Sequence, residues 1–126
     1  MCAVERRPTC GGPVTVLEQS TGGEVVTVQE IEVVPGKEEA FLARFRAIDV
    51  LRLAADAAGG GLIDAQLVRS GSRFVVVTTW SSPHGIEAWI ASPARELVRG
   101  ELERFYISPP VVGRYAVRGC LGCSAP

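Results

Sequence analysis

From Val25 to Val34 the chain reads VVTVQEIEVV, rich in β-branched residues and partly alternating, with Gln29, Glu30 and Glu32 as the polar members. That pattern predicts a half-buried strand, and Pro35-Gly36 ends it. The period then changes. Phe41, Phe45 and Ile48, running on toward Leu51 and Ala55, recur at helical spacing. Glu38, Arg44, Arg46, Arg52 and Asp56 can point outward. One helix is predicted from Glu38 to about Ala58, stopped by Gly59-Gly60-Gly61. Leu62 to Arg69 predicts a second strand, and Phe74 to Thr79, closed by Trp80, a third. The turn Ser70-Gly71-Ser72 between them predicts an antiparallel hairpin. Ser82 then reads as an N-cap with Pro83 at the first helical position, and Ile86, Trp89 and Ile90 form one apolar helical face. Ser92-Pro93 repeats the helix-start signal, so this second helical region is expected to break there. It continues over Ala94 to Tyr106 with Leu97, Val98, Leu102 and Phe105 on one face, and Pro109-Pro110 ends it. Val111 to Arg118 predicts a last strand, weakened by Gly113.

The resulting order is β-α-β-β-α-β, the ferredoxin-like arrangement of the α+β class. Two right-handed crossovers make a four-stranded antiparallel sheet with both helices on one face. Apolar residues on several strands would also point to the other face, and a second copy of the chain is the simplest cover, so a homodimer is expected. Residues 24–118 form this domain. Residues 1–23 read as an extension in which Val14 to Leu17 either add a short strand or dock against the domain, and residues 119–126 read as a tail.

Composition narrows the function. The 126 residues carry 13 basic and 14 acidic side chains, without a basic block, which argues against nucleic acid as a partner. No apolar run approaches the length of a membrane span, and MCAVERRPTCGG lacks an apolar leader core, so a cytoplasmic protein is expected. The four cysteines, Cys2, Cys10, Cys120 and Cys123, lie only at the ends. They read as tail thiols. A four-thiolate zinc site is the weaker alternative, because only the second pair has a usual half-site spacing. No glycine fingerprint for a nucleotide follows a strand.

Three runs, IEVVPGKEEAFLARF, GLIDAQLVRS and RFVVVTTWSSPHGIEAWIASP, resemble the antibiotic biosynthesis monooxygenase (ABM) domains of the dimeric α+β barrel superfamily. The resemblance covers roughly Val25 to Val117, and its most recognisable part is the strand-ending Trp80, then Ser81 and Trp89. It implies a homodimeric α+β barrel and a cofactor-free monooxygenase acting with O₂ on a planar aromatic, polyketide-type substrate. Trp80 matches the tryptophan that lines the pocket of such oxygenases, packing on substrate and offering its indole N–H. The family's oxygenases usually also carry an asparagine. This chain has none, and Gln29 is the nearest chemical substitute. Haem-degrading relatives place a histidine after the second tryptophan, where this chain has Ser92, Pro93, Ala94 and Arg95.

The expected catalytic set is Trp80, Gln29, Arg114 and His84, with Arg114 stabilising an enolate or phenolate and His84 a possible base. Trp80, Trp89, Gln66, Tyr106 and Tyr115 are the expected substrate contacts. Arg114 and Tyr115 are neighbours on one strand, so only one can face a given pocket. Two other readings stay open. A cyclase or dehydratase of the same fold would use His84, Tyr106 or Glu30 for acid–base work. A non-catalytic ligand-binding dimer would use neither chemistry.

Overall fold

The sheet is built outward from β1 (Val25–Glu32). It pairs antiparallel with β3 (Arg73–Trp80) on one side and β4 (Val111–Ala116) on the other. β2 (Leu62–Ser70) pairs antiparallel with β3 through the predicted hairpin, giving the order β2-β3-β1-β4. Gly71 supplies the positive φ of 65° that the two-residue loop needs. This computed structural model describes residues 23–119; the expected strand at Val14 to Leu17 and all four cysteines lie outside them.

Register fixes which side chains share a face. Val25 lies opposite Trp80, Thr27 opposite Thr78, Gln29 opposite Val76 and Ile31 opposite Phe74. Phe74, Val76, Thr78 and Trp80 are buried, whereas Val75, Val77 and Thr79 are half-buried. β3 is apolar on both faces but has one deep face, the one covered by helices.

The first helical region is two helices, not the single one expected. They are α1 (Glu38–Ala47) and α2 (Val50–Ala58), broken at Ile48-Asp49 with Asp49 in the left-handed region at φ 56°. The cause is the phase of the apolar residues. α1 buries Phe41 and Phe45, and α2 buries Val50 and Ala54. Val50 comes nine residues after Phe41, which in an unbroken helix is about two and a half turns, so it would point away from the core. The break turns it back. The second region splits as expected, into α3 (Pro83–Ile90) and α4 (Pro93–Leu102). Ser82 Oγ accepts from the His84 N–H at 3.2 Å, and Ser92 Oγ accepts from the Arg95 N–H at 3.2 Å. A short 3₁₀ turn, Glu103–Phe105, follows α4, so the helix stops short of Tyr106.

The core has two parts. The larger gathers Ile31, Val33, Phe41, Phe45, Phe74, Leu102 and Phe105, with the Phe41 ring 4.8 Å from Phe74 and 5.8 Å from Phe45. The smaller is Val25, Trp80 and Ile86 at the other end of β1. Trp89 packs against both.

Candidate active site

Trp80 ends β3 at the point where α3 begins, and the local sequence dictates both. The β-branched run before it favours strand, and Ser82-Pro83 after it starts a helix at once. Gly85, in the first turn of α3, faces the indole. A Cβ there would stand 3.2 Å from Trp80 Cε3, so glycine allows the helix to approach the ring closely. Trp80 is buried, and its Nε1–H donates to Thr27 Oγ1 at 3.0 Å.

Thr27 is the middle of a polar row that crosses the helix-side face. It pairs with Thr78 on β3 and with Arg114 on β4. On β3, the row runs between Val76 of the larger core cluster and Trp80 of the smaller. Thr78 is only 6 % exposed and is the one buried polar side chain among the described residues. Its hydroxyl has no hydrogen-bond partner there. Gln29, half-buried in the adjacent row between Val76 and Val112, has a carboxamide that is likewise unpaired among the described residues. At the edge, Arg114 Nη1 donates to Glu87 Oε2 of α3 at 3.3 Å. β4 is exposed along most of its length, so the row runs from a buried hydroxyl outward to a solvated cation.

Trp80, Gln29 and Arg114 therefore share one face, with Trp89 packing beside Trp80. The Trp80 N–H, expected to be free for substrate, is taken by Thr27, which leaves the Thr27 O–H as the group able to donate onward. Arg114, expected to stabilise a substrate enolate or phenolate, pairs with the Glu87 carboxylate of its own chain. Gln66 lies opposite Val77, and Tyr115 opposite Val26, so both stand on the face away from the helices. Glu30 is on that face too, 3.6 Å from Arg73. His84 is exposed at the start of α3. Tyr106 bridges to Val33 at the opposite end of the sheet from Trp80, beside Phe41. Burial, aided by the Glu103 charge, pushes its phenol up to about 12, so it is a proton donor and no base at neutral pH. The three acid–base candidates are thus scattered.

Thr27 and Thr78 escaped sequence reasoning. Alternation along β1 already places Thr27 with Gln29, but only the register brings Thr78 and Arg114 beside it. Among the described residues no group of three or more His, Cys, Asp or Glu side chains could hold a metal ion. What the row offers is a flat apolar wall, two hydroxyls, one carboxamide and one cation. That set suits a flat ligand bearing oxygen atoms.

The family model for antibiotic biosynthesis monooxygenase matches residues 24–98. No curated protein sequence matches the chain. Several solved structures share the fold. A provisional antibiotic biosynthesis monooxygenase from Bordetella bronchiseptica is 23% identical, with a TM-score of 0.61, over 73% of this chain and 94% of its own. A Mycobacterium tuberculosis protein is 20% identical, with a TM-score of 0.62, over 75% and 94%. SnoaB, a cofactor-independent oxygenase from Streptomyces nogalater, is 21% identical, with a TM-score of 0.60, over 79% and 97%. At these identities the likeness speaks for the fold, while the family rests on the match across residues 24–98: this chain belongs to the antibiotic biosynthesis monooxygenase family.

Proposed function

We propose that the chain is a cofactor-independent monooxygenase that oxidises a planar aromatic, polyketide-type substrate of secondary metabolism, using O₂ as co-substrate and acting as a homodimer. The observation that carries this reading is the buried Trp80 set against the polar row of Thr78, Thr27 and Arg114, with Gln29 alongside. The SnoaB likeness supports it at the level of fold.

In this reading the substrate supplies its own reactivity. An acidic phenol or benzylic C–H loses a proton, and the resulting anion passes one electron to O₂. The two radicals combine to a hydroperoxide, which loses water, so that CH₂ plus O₂ becomes C=O plus H₂O. The protein lowers the cost of the anion. Thr27 O–H and the Gln29 carboxamide donate to the oxygen where negative charge gathers, and the Arg114 cation adds long-range stabilisation. Trp80 and Trp89 offer aromatic surface on which a flat ring packs and from which water is kept out.

The dimer is supported by the sheet face away from the helices. There Val26, Val28, Val75 and Val77 are only half-buried, and Val68, Val111 and Tyr115 are exposed. An oxygen electrode tests the activity. Metal-stripped protein should consume O₂ with 1,8-dihydroxyanthrone and form the anthraquinone one for one. Uptake no faster than the spontaneous rate, here and with related polyphenols, rules the reading out.

A further inference from the structure

We infer that the ligand of this site is an aromatic acid read at both ends: its carboxylate replaces Glu87 on Arg114, and a neutral hydroxyl or carbonyl oxygen at its far end bonds to Thr78. The inference rests on the reading that the row beside Trp80 is the ligand site. It adds the polarity of the ligand and its orientation.

The inner end is argued from Thr78. A hydroxyl on a residue only 6 % exposed would ordinarily have a partner, because desolvating it unpaired is costly. Thr78 has none among the described residues, while its neighbour Thr27 is engaged by Trp80. A ligand oxygen between the two core clusters satisfies it. No charged side chain stands on that part of the row, and apolar Val76 and Trp80 flank it along β3, so the oxygen must be neutral.

The outer end is argued from Arg114. Its contact with Glu87 is a single bond of 3.3 Å between two exposed side chains, a weak and easily exchanged pair. A guanidinium binds a planar carboxylate best in a two-pronged fashion, which this contact does not use. Glu87 is thus a stand-in for a ligand carboxylate. Thr78 and Arg114 are separated by one intervening strand, so the two ends lie roughly 10 Å apart, about the length of a naphthalene bearing a substituent at each end. Between them lies Thr27, which accepts the Trp80 N–H.

Calorimetric titration of the full chain with 6-hydroxy-2-naphthoate, 2-naphthoate and 2-naphthol tests this without any turnover. The two-ended probe should bind at least tenfold tighter than either one-ended probe. Thr78→Val should reduce its affinity to that of 2-naphthoate and leave 2-naphthoate unchanged. Glu87→Gln should tighten both carboxylates several-fold and leave 2-naphthol unchanged. Equal binding of the three probes, variants that shift all three alike, or no binding of 6-hydroxy-2-naphthoate at millimolar concentration would overturn the inference. The titrations run without oxygen. Two-ended discrimination in a protein that never consumes O₂ would remove the oxygenase reading and keep this one; O₂ consumption without discrimination would do the reverse.

Discussion

Trp80 is fixed by four neighbours in three ways: Thr27 holds its N–H, Gly85 lets α3 close over its ring edge, and Ile86 and Val25 pack around it. Shortening it to phenylalanine deletes the hydrogen bond and leaves a gap beside Ile86. Trp80→Phe should therefore cost about 2 kcal/mol of stability, read from urea unfolding. Thr78 should behave in the opposite way. Its hydroxyl is buried without a partner among the described residues, so Thr78→Val should raise stability by about 1 kcal/mol while weakening ligand binding. A loss of the same size would mean that the hydroxyl is satisfied after all. Tyr106 makes a pH-dependent contribution. Its folded phenol titrates near 12 against 10.0 for the free group. The unfolded chain therefore ionises first as pH rises, and the stability due to this group is present below pH 10 and lost between 10 and 12. Unfolding of Tyr106→Phe across that window should show a shallower fall.

Among the elements, the caps were the most legible part of the sequence. Ser82-Pro83 and Ser92-Pro93 each supply an accepting hydroxyl and a preset φ, and those needs are local. The hairpin at Gly71 was legible for the same reason. The break between α1 and α2 was not, because Phe41-Phe45 and Val50-Ala54 are each periodic and only their mutual phase conflicts. The site divided along the same line. Trp80 and Gln29 stand out by residue type, but the company of Thr78, Thr27 and Arg114, and the exile of Gln66 and Tyr115 to the other face, depend on cross-strand register. Two substitutions probe these joints. Asp49→Gly should stabilise by about 0.5 kcal/mol, since glycine relieves the left-handed backbone at φ 56°. Gly85→Ala gains helix propensity but drives a methyl against an indole that cannot shift without stretching its bond to Thr27. A net loss of about 1 kcal/mol is expected, with a change in tryptophan emission; a gain in stability would show that Trp80 is loosely held.

At the scale of the molecule, the helices cover one face of the sheet and leave the valines of β1 and β3 half-buried on the other. On that face Tyr115 lies across Gly113, where a Cβ would meet its Oη at 2.6 Å. The proposed dimer would bury this surface, so Val77→Arg at its centre should halve the mass seen by sedimentation while the circular dichroism of the fold persists. A monomeric parent chain would rule out the dimer and leave the site, which is assembled within one chain, as it stands. In the proposed function, the row beside Trp80 is where a cofactor-free oxygenase does its work. Steady-state O₂ uptake with 1,8-dihydroxyanthrone, compared between the parent chain, Trp80→Phe and Arg52→Gln on the exposed side of α2, tests it most directly. Metal-free parent protein and Arg52→Gln should turn over alike, and Trp80→Phe should lose about tenfold or more in kcat/KM. Equal turnover by Trp80→Phe would contradict it.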